Sequence, residues 1–213
     1  MATALLDAFE VTGKRAYFDC ALELVETTIR RFGDEERGGF FDTASDRGAR
    51  QGALTMSRKS FQDSPTPSAN SVAVMVLDRL AHLADRPDFA QKSQATLDLF
   101  AHKAGEFGLF AASFALALAG HLRNPTQIVV IGPRQDERTS RLLKAAYASP
   151  RAGKRVLCFD PATVTGRDLP GGLAATLPHL SYDGRPLALV CEGATCRAPV
   201  ETPDALAALL GSN

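Results

Sequence analysis

Hydrophobic positions recur with a helical period in most of the first half of the chain. Residues 15–33 place Tyr17, Ala21, Leu24, Val25, Thr28 and Phe32 on one stripe, with charged residues elsewhere. Gly33 supplies a stop. No helical period follows until about residue 68, so residues 34–67 read as a long loop. Its Phe40, Phe41, Leu54, Met56 and Phe61 predict order, because a disordered segment would be more polar.

A second helix is predicted from Ser68, a good N-cap, to Ala84. Val72, Met75, Val76, Leu80 and Leu83 form its buried stripe. "ADRPDF" turns the chain. There Asp85 is expected to cap and Pro87 to sit in the first turn of a helix carrying Phe89, Thr96, Leu97 and Phe100. "GEFG" is the next break. "LFAASFALALAGHL" after it is apolar nearly all round, which predicts packing on more than one side.

The period changes after "NPTQ". "QIVVIG", "KRVLCFD" and "RPLALVCEG" are strand candidates. Residues 136–148 read as a helix with Leu142, Leu143, Ala146 and Tyr147 on one side, and the tail "TPDALAALL" as a last helix. Strand–helix–strand order favours parallel pairing of the first two strands. The prediction is therefore a mainly α chain: a helical-hairpin region over 1–124 and a small α/β subdomain over 125–213.

Composition adds bounds. The chain has 213 residues, and Lys plus Arg equals Asp plus Glu at 24 each, so no global basic field favours nucleic acid as a partner. No apolar run reads as bilayer-spanning, and no membrane partner is expected; a cytosolic location is the default. Cys20, Cys158, Cys191 and Cys196 fit free thiols in a reducing compartment better than a disulfide framework. A Cys191–Cys196 bond requires that their Cβ atoms face each other. Cys158 and His179 could join them around zinc only on paper. "VVIGPRQDERTSR" lacks both phosphate-loop patterns and reads as a plain strand-to-helix turn. No cofactor and no metal is expected.

Alternating helix directions gather Asp42, Arg58, Lys59, Asp63, His102 and Glu106 at one end, with Asp85 and Arg86 at the other. Paired carboxylates near basic groups can do acid/base work, which singles out Asp63 and Glu106 as catalytic candidates. Arg58, Lys59, Asn70, Ser71 and Asp42 become substrate-binding candidates. Asn70 and Ser71 lie in the first turn of a helix, where backbone N–H groups favour an anion. The other reading is that these groups are loop charges and caps, and both readings stay open.

Residues 38–71 carry a family resemblance. "GGFFDT" and "RKSFQDSPTPSANS" match a Gly-Gly-aromatic turn, a basic pair, an Asp and a Pro-Ser-x-Asn-Ser helix start. The matching positions are Gly38, Gly39, Phe40, Asp42, Arg58, Lys59, Asp63, Pro67, Ser68, Asn70 and Ser71. With "PTQIVVIG" and "VCEGATCRAPV", they make the chain resemble the C-terminal part of the YyaL-like (spermatogenesis-associated protein 20) family of thioredoxin-domain-containing proteins. The resemblance implies part of a six-hairpin (α/α) toroid, similar in fold to N-acylglucosamine 2-epimerases and six-hairpin glycosidases, followed by the α/β unit. The resemblance does not extend to the family's thioredoxin-like domain, and the sequence has no C-x-x-C pair, so no redox activity is expected to carry over through them.

Two functions follow as expectations. One is an interaction module, subunit or vestigial fragment whose exposed stripe drives self-association or takes a partner chain supplying missing toroid helices. The alternative is a sugar-processing enzyme, an epimerase/isomerase or glycoside hydrolase, acting on a small carbohydrate or sugar phosphate.

Overall fold

A computed structural model describes residues 1–44, 58–162, 169–176, 182–193 and 195–211. Leu54, Met56 and His179 lie outside these residues. The chain is mainly helical with one small mixed sheet, and it divides into two compact units.

The helical unit comprises residues 20–123. It holds most of α2 (Arg15–Phe32), then α3 (Ala69–Ala84), α4 (Pro87–Ala104), a 3-10 segment (Gly105–Ala111) and α5 (Ala112–His121). Ser68 caps α3 as expected: its Oγ accepts from the Ser71 N–H at 3.1 Å. Asp85 does not cap α4. It ends α3 in a left-handed conformation (φ 54), donating its N–H to the Ala81 carbonyl. Aspartate tolerates that conformation better than most residues. Pro87 does open α4.

Two predicted stripes shift. In α2 the buried positions are Phe18, Ala21 and Val25, while Tyr17 is exposed. Of the α3 stripe, Val76, Leu80 and Leu83 are buried; Val72 and Met75 are partly covered, and Val74 and Leu77 join the core. The α4 stripe is as expected. Phe61 sits at the centre of the core here, stacked on Phe100 at 5.0 Å and edge-on to Phe107 at 5.0 Å. Leu97, Phe114 and Ala117 complete this cluster.

α5 is the main departure. Only Ser113, Phe114 and Ala117 are buried, whereas Ala112, Ala115 and Leu116 face solvent. Packing within the unit covers one side of the helix, not several. By length and composition alone, Pro87–His121 contains a stretch apolar enough to cross a membrane, contrary to the sequence reading. Gly108, at φ 50 and ψ −124, interrupts that stretch.

The second unit groups residues 124–213 with residues 3–19, including α1 (Ala2–Thr12), which the pattern did not predict. Its sheet has the order β2-β1-β3-β4, from β1 (Thr126–Ile131), β2 (Arg155–Phe159), β3 (Leu187–Glu192) and β4 (Thr195–Cys196). β1 and β2 are parallel and joined through α6 (Glu137–Ala148), as expected. β3 returns antiparallel to β1, with Val129 opposite Leu189. One face packs Ile128, Val130, Val156, Ala188 and Val190 against Leu142 and Ala146 of α6 and Leu206 and Leu210 of α8 (Pro203–Gly211). Tyr147, expected on the inner side of α6, is exposed. Phe9 of α1 lies against Phe159 at 6.3 Å and Phe18 at 5.5 Å. A short α7 (Gly171–Thr176) completes the helices among the described residues.

Cys191 and Cys196 are joined by a disulfide, which overturns the expectation of free thiols. The two residues are direct partners across the β3–β4 ladder, a placement that spacing alone does not reveal. Cys20 and Cys158 are free.

Candidate functional site

The signature residues of the long loop build one connected structure in the helical unit. Gly33 pairs with Phe40 across a tight antiparallel bridge. Asp34 starts the turn: its Oδ1 accepts the backbone N–H groups of Glu36 and Arg37 at 2.9 and 3.0 Å. Gly38 and Gly39 then adopt φ of 72° and 75°, where a side chain is disfavoured. Space forbids one as well. A Cβ on Gly38 would stand 2.6 Å from the Ala95 carbonyl oxygen of α4, and one on Gly39 would stand 2.9 Å from Leu99 Cδ2.

Two side chains fix this turn from behind. Lys59 donates from Nζ to Asp34 Oδ2 and to the Gly38 carbonyl, both at 2.6 Å, and lies 4.7 Å from the Phe41 ring centroid. The Lys59 hydrogen bond and the two turn N–H groups hold the Asp34 carboxyl below its ordinary pKa. Asn70 is buried. Its Oδ1 accepts the Phe40 N–H at 2.7 Å, and its Nδ2 donates to the carbonyls of Phe40 and Ser60 at 3.0 and 2.8 Å.

Asp63 has a comparable duty. Oδ1 accepts the Ser68 N–H at 2.9 Å and Oδ2 the Ser113 N–H at 2.8 Å. These bonds, the one from Ser113 first, keep the carboxyl below its ordinary pKa. The Asp63 N–H donates to the Phe110 carbonyl at 2.7 Å, which ties the loop to the 3-10 segment as the alternating-helix argument expects.

The other predicted residues divide. Ser71 Oγ accepts from Ser68 Oγ at 2.6 Å, within the cap. Asp42 donates its N–H to the Arg58 carbonyl at 2.8 Å, and both side chains are exposed. Glu106 is exposed on the 3-10 segment. His121 meets Asp78 Oδ1 through Nδ1 and Gln94 Oε1 through Nε2, each at 3.0 Å.

A cavity of about 540 Å³ opens on the other side of the glycine turn. Asp34, Glu35, Glu36 and Arg37 line it together with Asp88, Lys92 and Asp98 of α4. None of Asp42, Arg58, Lys59, Asp63, Asn70, Ser71 and Glu106 lines it. The sequence reading missed Asp34, although an Asx turn ahead of a Gly-Gly pair was available as a signal.

Fold and loop together define a class: a helical-hairpin unit with a buttressed Gly-Gly turn, joined to a small mixed α/β unit. No family model matches the chain. Spermatogenesis-associated protein 20 of Homo sapiens is 30% identical to it over 208 residues, covering 97% of this chain and 26% of that protein. The proteins of the same name from Mus musculus and Rattus norvegicus are each 27% identical over 97% of the chain. The chain is thus a homologue of a stretch of spermatogenesis-associated protein 20, as its motifs imply, and spans about a quarter of the length of these relatives.

Proposed function

We propose that this chain is an interaction module whose helical unit associates with a second copy of itself. The observation that carries this is the outer side of the 3-10 segment and α5. Leu109, Phe110, Leu116 and Leu122 are 90, 62, 67 and 74% exposed. No charged residue occurs between Glu106 and His121, so two copies meeting there face no like-charge cost. On this reading the helices α2–α5 are hairpins of an (α/α) toroid, and Asp34, Lys59, Asp63 and Asn70 are its scaffold. Both Asp63 carboxylate oxygens already accept backbone N–H groups, which supports a structural role. Sedimentation velocity at micromolar concentration tests the proposal. A dimer that Leu116→Glu converts to monomer supports it; a strict monomer with cooperative unfolding overturns it.

The cavity favours a second reading, a small-carbohydrate or sugar-phosphate enzyme with its site at the Gly-Gly turn. A volume of about 540 Å³ whose walls carry Asp34, Glu35, Glu36, Asp88 and Asp98 beside Arg37 and Lys92 suits a small polar ligand. Turnover of sugars or sugar phosphates that Glu35→Gln or Glu36→Gln abolishes, with the fold intact, is the result expected of it.

A further inference from the structure

We propose that the Cys191–Cys196 hairpin is a thiol–disulfide exchange site, attacked at Cys196 by a small anionic thiol of the glutathione class. The observation is an asymmetry between the two sulfur-bearing residues. Cys191 lies in β3, buried, in a strand paired to β1 at every position from Leu187 to Glu192. Cys196 is exposed, in a two-residue strand at the edge of the sheet. An incoming thiolate therefore reaches Cys196 and not Cys191, and accessibility governs which sulfur is attacked.

Charge complements this access. Arg197 follows Cys196 directly and is exposed. Glu192, next to Cys191, is matched by the guanidinium groups of both Arg151 and Arg197. Among the described residues two guanidinium groups thus face one carboxylate, and the positive balance beside Cys196 favours an anionic thiol.

The chemistry balances in two displacements. A thiolate RS⁻ attacks Cys196 Sγ, forming Cys196–S–S–R and expelling Cys191 as a thiolate that takes a proton. A second thiolate attacks the R-side sulfur, forming RS–SR and releasing Cys196, which is also protonated. Two small thiols are oxidised to one disulfide, the protein disulfide is reduced to two thiols, and the two protons pass from one pair to the other.

The sheet tolerates the change. β1–β3 pairing does not pass through the bond, and Ala188 and Val200 still exchange two backbone hydrogen bonds, at 2.7 and 2.9 Å. Reduction frees the β4 edge and leaves the rest of the ladder in place.

The test uses the full chain in the oxidised state with Cys20→Ser, to remove the other exposed thiol. The folded protein is incubated with millimolar reduced glutathione, quenched in acid, alkylated and mapped by peptide mass spectrometry, with circular dichroism recorded in parallel. The expected result is mixed disulfide on Cys196 in at least about tenfold excess over Cys191. A Cys191→Ser variant treated with oxidised glutathione accumulates the Cys196 adduct, because no resolving thiol remains. Equal labelling of both cysteines, no bond in the oxidised protein, or a bond that glutathione opens only after denaturation would each overturn the proposal.

Discussion

Lys59 and Asp34, 25 residues apart in sequence, form a 2.6 Å ion pair that is largely shielded, with side chains 12 and 15% exposed. The same ammonium also binds the Gly38 carbonyl, so one side chain neutralises the first acid of the turn and holds the glycine backbone. Lys59→Met leaves a shielded carboxylate and a carbonyl without their donor. The expected loss is about 2–3 kcal/mol, read from urea unfolding midpoints.

The acid side of that pair sets a pH dependence. The folded pKa of Asp34 lies below its unfolded value, so its contribution is fully present above the unfolded pKa and is lost as pH falls through the folded one. Asp63 shifts in the same direction and adds to the effect. Thermal midpoints therefore hold near neutral pH and decline below about pH 4. Asp34→Asn should lower the neutral-pH midpoint and flatten the acid decline.

Asn70 makes three hydrogen bonds from a buried position, all to backbone groups. Asn70→Ala orphans the Phe40 N–H and two carbonyls, with an expected cost of about 2–4 kcal/mol. Asn70→Asp keeps the acceptor and loses both donors. It should recover little of that loss, which separates hydrogen bonding from volume in the same denaturation assay.

Gly38→Ala meets two obstacles together, the left-handed backbone and the Ala95 carbonyl. Gly153→Ala meets only the first, because nothing lies within 4 Å of its added Cβ. Gly153→Ala should cost about 1 kcal/mol and Gly38→Ala distinctly more, as differential scanning calorimetry can measure.

Reducing the Cys191–Cys196 bond should lower global stability by no more than about 2 kcal/mol, because the closed loop is short. Denaturant midpoints with and without reductant check this.

The helices with strong periodicity were legible because each buries one stripe: Phe89, Thr96, Leu97 and Phe100 are where the pattern places them. α1 was not legible, since its N-cap is Met1 without a side-chain bond and its buried residues are only Leu6 and Phe9. The strands were visible in their β-branched runs. The antiparallel return of β3 and its pairing with β4 depend on the connections, which carry no periodic signal. At the candidate site, residue type marks Asp63, and position in the first turn of a helix marks Asn70. Their roles depend on partners at Ser113 and Phe40, 50 and 30 residues away, which one-dimensional spacing does not encode.

The Asp63 carboxylate receives N–H groups from two helix starts, Ser68 at the cap of α3 and Ser113 in the first turn of α5. The positive ends of two helix dipoles thus converge on one negative charge. The beginnings of α3 and α5 share a single anchor and should fray as one cooperative segment. Amide exchange at the two starts should then accelerate together when that carboxylate is removed.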